Sequence, residues 1–220
     1  ITPELRHSLA NSPYNERRKS CETAAAILEK LTGWGAEVAG DIGRADGRAA
    51  GVGGRASASS GFSLREVGLE RFRELRERLP DEAGRRAAHI IEEIDRVERG
   101  VTFLEEDNIE AFGELMFQSH ESSRVNFENS APELDILVNA SREAGALGAR
   151  LSGGGFGGSI IAMVHENRAA DLRARIGEHC RKEGIKAEFN LMVPSEGARR
   201  VCGDGCDGGS DCENGDGGEV

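Results

Sequence analysis

Apolar residues recur at helical spacing over most of this chain and give way to strand-like runs near its C-terminal end. Cys21, Ala24, Ala25, Leu28 and Leu31 share one face of a predicted helix from about Glu16 to Leu31. Leu69, Phe72, Leu75 and Leu79 keep the period through Leu64–Leu79, where Pro80 stops it. The longest stripe runs through Ala87, Ile90, Ile91, Ile94, Val97, Val101 and Leu104 and predicts a long helix with one apolar side. Asp107 and Glu110 have capping-box character ahead of Ile109, Phe112, Leu115 and Met116. Ser130 and Glu133 repeat it ahead of Leu134, Leu137 and Val138, with Pro132 suited to a first helical turn and Gly145 to a helix end. Ala149–Ser152 and Ser159–Val164 then read as strands around a glycine-rich loop, followed by a helix from about Arg168 to Lys182 and a last strand from Ala187 to Val193. Ile1–Leu9 is a short extended or looped entry that opens like the end of a strand, as expected of a piece cut from a longer protein. The C-terminal order of strand, loop, strand, helix, strand predicts an α+β fold of ferredoxin-like character, with helices packed on one face of an antiparallel sheet.

Two segments break this pattern. Residues 33–61 hold nine glycines with interspersed Ala and Ser, and are expected to form a flexible insertion. Residues 203–220 carry seven glycines, four Asp, two Glu and no Lys or Arg, the composition of a disordered acidic tail. Their acids lack the ligand spacing of a calcium-binding loop, and Cys202, Cys206 and Cys212 lack a fourth ligand for zinc. Residues 1–202 are therefore expected to form the folded domain. The 220 residues carry a net charge of −11, of which the tail supplies −6. A mildly acidic body argues against a nucleic-acid or membrane-surface partner. No apolar run approaches the ~20 residues of a membrane span, and five scattered cysteines read as free thiols, so a cytoplasmic protein is expected.

The chemistry concentrates in Gly148-Ala-Arg-Leu-Ser-Gly-Gly-Gly-Phe-Gly-Gly-Ser159, where five of the six residues from Gly153 to Gly158 are glycine. Such a loop lets main-chain N–H groups approach an anion closely, and a phosphate is the usual one. A dinucleotide fingerprint is excluded by context, because a strand and not a helix follows. A Walker loop is excluded because no Lys-Ser or Lys-Thr follows the glycines.

This stretch closely resembles the third glycine-rich motif of galactokinases, members of the GHMP small-molecule kinases. Other blocks share the resemblance in order and spacing: Arg6-His7-Ser8-Leu9-Ala10 with Tyr14, Arg17-Arg18 and Cys21-Glu22; Ser63 to Val67; Arg86 to Ile90 with Arg96-Val97; Phe112 to Met116 with Ser119-His120; and Ser130 to Asp135. It covers about residues 1 to 202, departing at residues 33–61, in the tail, and at Ser159, where the family commonly has Cys.

The resemblance implies the GHMP kinase C-terminal domain, and a parent enzyme that transfers the γ-phosphoryl group of ATP to the anomeric hydroxyl of galactose, with Mg²⁺ assisting. It implies that Tyr14 contacts a sugar hydroxyl and that Ser152, Gly153, Gly154, Gly155, Phe156, Gly157 and Gly158 approach the sugar and phosphate. Arg6 and Arg150 are possible phosphate contacts, although structurally paired arginines are commoner; His7, His89 and His120 read as packing and hydrogen-bonding residues. The family's sugar-recognition motif with its catalytic Arg, its Gly/Ser phosphate motif and its catalytic Asp have no counterpart in this sequence. No catalytic residue or metal ligand is therefore assigned, these groups are expected upstream of Ile1, and the chain alone is expected to be inactive. The resemblance also implies a monomer. Two alternatives stay open: a kinase for another sugar, such as N-acetylgalactosamine or arabinose, and a non-catalytic galactokinase-like sensor.

Overall fold

A computed structural model describes residues 1–3, 14–34 and 61–194. The acidic tail with Cys202, Cys206 and Cys212, the residues Arg6 and His7, and all but the ends of the 33–61 insertion lie outside the described residues. Residues Ile1–Asn190 form one compact unit, which contains all of the elements that follow.

The helices are α1 (Tyr14–Thr32), α2 (Leu69–Leu75), α3 (Asp81–Glu105), α4 (Ile109–Ser122), α5 (Pro132–Glu143) and α6 (Ala169–Glu183). The strands are β1 (Thr2–Pro3), β2 (Gly148–Ser152), β3 (Ser159–Met163) and β4 (Ala187–Glu188). Antiparallel pairing joins β2 to β3, from Gly148 opposite Met163 to Ser152 opposite Ser159, and β1 to β4. Ile1 and Ile160 link the two ribbons by exchanging both main-chain hydrogen bonds, at 2.9 and 2.8 Å, as directly opposed antiparallel residues do. The resulting order, β2-β3-β1-β4, is that of the expected ferredoxin-like sheet.

One face of this sheet is apolar. Ala149 pairs with Ala162 and Leu151 with Ile160, and they join Phe117, Leu134, Leu137 and Ile176 from the overlying helices in one core. On the other face Ile161 is 55% exposed. A second core lies between α1, α2 and α3, around Ala24, Leu28, Phe72, Ala87 and Ile91. Trp34 meets Phe62 edge-on at 5.5 Å, so the chain leaves and re-enters this core at adjacent points.

Several expected elements are shorter or start elsewhere. The helix over Leu64–Leu79 is broken into a 3₁₀ turn (Leu64–Glu66), α2 and a second 3₁₀ turn (Arg76–Arg78). The last strand ends at Glu188 and not Val193. With Thr2 opposite Glu188, only Ile1 is left to face Phe189, and Leu191, Met192 and Val193 are exposed. The α3 stripe is buried only in its first half. Val97, Val101 and Leu104 are exposed, because α4 crosses the neighbouring face, where the Phe112 ring lies against Gly100. Neither capping box forms. Asn108, not Asp107, accepts the N–H of Ala111, and Asp107 takes a left-handed turn (φ 56°). At α5 the extended residue Ala131 precedes Pro132, as a proline requires, and Ser130 turns its hydroxyl to Asp135.

Helix α4 and the start of β2 approach closely, where Gly113 faces Leu147 and Gly148 backbone to backbone. A methyl group on either glycine would overlap the opposing main chain, whereas one on Gly84 of α3 would make ordinary contacts at 3.7 Å. Gly113→Ala is therefore expected to cost about 1–3 kcal/mol of stability by overpacking. Gly84→Ala is expected to add about 0.5–1 kcal/mol through helix propensity. Urea denaturation of both variants checks the pair; a neutral Gly113→Ala would reject the close packing.

Candidate functional site

Strands β2 and β3 present the glycine loop at their shared end. Gly153, Gly155, Gly157 and Gly158 all have positive φ, between 82° and 126°, and Gly153, Gly154 and Gly158 are exposed. Phe156 is also left-handed (φ 59°), an uncommon state for a bulky side chain that needs support from its surroundings. That support is visible. The Phe156 N–H donates to the Asn129 carbonyl at 2.5 Å, and the Arg17 guanidinium lies 5.8 Å from the centre of its ring. Asn129 also donates through Nδ2 to the Gly154 carbonyl at 3.3 Å. Gly155 packs so tightly on Asn129 that any Cβ would overlap it.

Asn129 stands at the end of α4, which closes with a π-helical turn (Ser123–Phe127) and the left-handed residue Glu128 (φ 54°). A helix end leaves carbonyl groups without intrahelical partners. Here arginines from α1 and α3 supply donors in sequence. Arg85 reaches the Val125 carbonyl, Arg86 that of Asn126, and Arg17 those of Phe127 (3.0 Å) and Glu128 (3.0 Å). The Glu128 carboxylate then pairs with Arg86 at 2.7 Å, with Arg85, and with Arg17 at 3.6 Å. Hydrogen bonds from Arg86 and Arg85 hold its carboxyl well below the usual range, at about 2.

Behind this turn lies a buried polar layer between α3 and α4. His89 Nδ1 lies 3.1 Å from the Ser122 hydroxyl, and its ring packs on Phe127 at 4.7 Å. Burial pushes His89 down to about 4. Glu93 accepts from Ser119 at 2.7 Å and from Arg96 at 2.5 Å. Burial alone would raise its pKa, but these bonds and the Arg96 charge outweigh it, and the net shift is downward. His120 contacts Asp135 through Nε2 (3.1 Å) and the Leu151 N–H through Nδ1 (3.3 Å). Burial lowers its pKa against the pull of Asp135.

Of the residues singled out from the sequence, Ser152 to Gly158 form a single loop. Tyr14 is the first residue of α1, 58% exposed, and three positions before Arg17 it shares that residue's face of the helix. Arg150 lies on β2 beside the loop, but its guanidinium turns away to Glu93 (3.6 Å) and to the Leu151 carbonyl (3.2 Å). Arg6 is outside the described residues. His89 and His120 make the packing and hydrogen-bonding contacts noted above. Sequence reading missed the supporting residues Arg17, Arg86, Glu128 and Asn129. Arg86 carried a usable signal, since it falls among Ala83, Ala87 and Ile90 on the apolar side of α3, and a charge there must find a partner.

The family described as GHMP kinases C terminal matches residues 101–182, which span α4, α5, the glycine loop and most of α6. Residues 101–182 thus carry a GHMP kinase C-terminal domain. It is 35% identical to human galactokinase over 199 residues, which is 90% of this chain and 42% of the relative. To a galactokinase of Exiguobacterium sibiricum it is 37% identical, over 89% of this chain and 44% of the relative. A crystal structure of Lactococcus lactis galactokinase complexed with galactose superposes with a TM-score of 0.63 at 27% identity, over 82% of this chain and 40% of that one. The chain thus spans a little under half the length of these relatives. Its C-terminal domain has the expected α+β class, mostly helical with small antiparallel ribbons.

Two expectations follow from the site. Glu128→Ala removes the carboxylate shared by three arginines while Arg86, 2% exposed, stays buried. The loss should be about 2–3 kcal/mol, below the ~3–5 kcal/mol for a fully buried pair because Glu128 is 40% exposed. An unchanged urea midpoint would reject the hub. Acid should act on the same region. The unfolded chain protonates His89 near 6.5 and the folded chain only near 4, so stability is lost as pH falls through that window, by up to about 3 kcal/mol at ~1.4 kcal/mol per unit. Glu128 adds a loss in the same direction between 4.5 and about 2. Thermal melts from pH 7 to 4 test the first window, and removing it with His89→Asn would confirm the source.

Proposed function

We propose that this chain is the C-terminal part of a galactokinase, and that the complete protein transfers the γ-phosphoryl group of ATP to the anomeric hydroxyl of galactose. The observation that carries this reading is the glycine-rich loop Ser152–Gly158, clamped by Asn129, in a chain 35–37% identical to galactokinases. Phosphoryl transfer depends on holding the reactants in line and neutralising the moving charge. An anchored loop with Gly153, Gly154 and Gly158 exposed suits the first task, since main-chain N–H groups can approach phosphate oxygens there without side-chain obstruction. Tyr14, on the α1 face that carries Arg17, is suited to contact a sugar hydroxyl at the loop's edge. Arg150 serves as a support of β2 in this reading, because its guanidinium is directed to Glu93.

ATP is the phosphoryl donor in this reading, and Mg²⁺ supplies charge neutralisation on its phosphates when bound. Among the described residues no three His, Cys, Asp or Glu side chains converge on a cation site. The groups that act on the reacting oxygens belong to a segment outside these 220 residues, and no helix among the described residues is long and apolar enough to cross a membrane. The soluble, cytoplasmic and monomeric state expected from sequence is part of this proposal.

The expected outcome is no turnover when the purified chain is mixed with ATP, Mg²⁺ and galactose, and galactose phosphorylation when it is joined to an upstream kinase segment. Turnover by the chain alone would overturn the division of labour. Preferential phosphorylation of N-acetylgalactosamine or arabinose by the joined protein would keep the kinase reading and reassign the sugar.

A further inference from the structure

The glycine loop is held on both limbs, and the limb entering from β2 has an unusual partner. β2 is an edge strand. In its register with β3, Leu151 turns its N–H away from the ladder, toward α4. An edge N–H buried without an acceptor would cost about the full desolvation of that group. The acceptor is His120 Nδ1, at 3.3 Å. Because an amide nitrogen can only donate, Nδ1 must be unprotonated, and the ring's single proton belongs on Nε2, which faces Asp135 Oδ1 at 3.1 Å. The same carboxylate oxygen accepts the Ser130 hydroxyl at 2.5 Å. His120 is 5% exposed, so water does not compete for either nitrogen. The Ser130–Asp135–His120–Leu151 relay thus runs from the start of α5 through α4 to the residue directly before Ser152.

We propose that His120 is a positioning residue which, as the Nε2–H tautomer oriented by Asp135, fixes the end of β2 and thereby the direction in which Ser152–Gly158 leaves the sheet. Its importance for phosphoryl transfer rests on the function proposed above; the positioning itself does not. The charged groups around the ring are Asp135 of α5, Glu121 of α4 and Arg124 of the π-helical turn. Protonating the ring places a hydrogen on Nδ1, which then cannot accept from Leu151, so acid should release the entry limb while Asn129 still holds the tip.

Two substitutions separate the two bonds. His120→Asn places an oxygen near the position of Nδ1 and keeps the acceptor for Leu151. His120→Gln places an amide N–H near Nε2 and keeps the donor to Asp135 but loses that acceptor. Hydrogen exchange of the ¹⁵N-labelled 220-residue chain is the readout. We expect Leu151 and loop amides to exchange about tenfold faster in His120→Gln and within about twofold of the unsubstituted chain in His120→Asn. Equal acceleration in both variants would overturn the proposal. Should His120→Gln fail to fold, the imidazole nitrogen shifts of the unsubstituted chain decide instead: protonation at Nε2 alone at neutral pH supports the relay, and a proton on Nδ1 overturns it. Neither readout needs ATP or turnover. Absence of kinase activity in the joined protein would therefore count against the proposed function and leave this test standing.

Discussion

The end of α4 imposes the constraint on which the site depends. Five consecutive carbonyls, from Val125 to Asn129, leave the helix without intrahelical partners, and each receives a donor from elsewhere in the chain. Arg85, Arg86 and Arg17 serve the first four, and the Phe156 N–H serves the last. Positive guanidinium groups suit the negative end of a helix, and their several N–H donors suit a run of carbonyls that no longer point in one direction. The glycine loop therefore docks on a surface that α1 and α3 have already organised. Glu128 can take its left-handed conformation because three arginines compensate it.

This arrangement explains why a polar layer persists between two apolar cores. Arg86, His89, Ser119, Ser122 and Asn129 are all buried, where a leucine or phenylalanine would pack at lower desolvation cost. Apolar replacements would satisfy the cores but leave the α4 carbonyls unpartnered. The layer carries its own economies: His89 and His120 stay neutral, and Glu93 is held ionised by Ser119 and Arg96. The exposed ion pairs of α2, such as Arg71–Glu74, contribute little by comparison.

Helix periodicity makes most of the fold legible in the sequence. α1, α4, α5 and α6 lie close to where apolar spacing places them, and the β2–loop–β3 unit follows from its glycines and flanking β-branched residues. The errors share a physical origin. The Ser130–Glu133 spacing predicts a cap for neighbouring amides, but the Ser130 hydroxyl serves Asp135, five residues away. The Val97–Leu104 stretch continues the apolar stripe and yet is exposed, because periodicity reports a face and not what covers it. The site was legible only as far as its glycines. Its supports depend on partners far apart in sequence, from 25 residues for Asn129 and Gly154 to 110 for Arg17 and the Phe127 carbonyl, and local pattern carries no record of such contacts. Arg86 on an apolar face was the one local clue.

A loop of glycines is costly as a binding element unless something else restrains it, because glycine loses more backbone freedom on ordering than any other residue. Here the restraint comes from outside the loop. The entry is fixed by His120 on Leu151, the tip by Asn129 on Gly154 and Phe156, and the exit by Ile1 on Ile160. Between these anchors, Gly153, Gly154 and Gly158 remain exposed. Absence of side chains thus gives access, and three hydrogen-bonded anchors give rigidity. The strained Phe156 marks where both demands meet. Its ring lies against Arg17 of α1, and its amide closes the series of donors that begins with Arg85. A change in the α1–α3 arginine group should accordingly reach the loop through the α4 end, without any of those arginines touching a ligand.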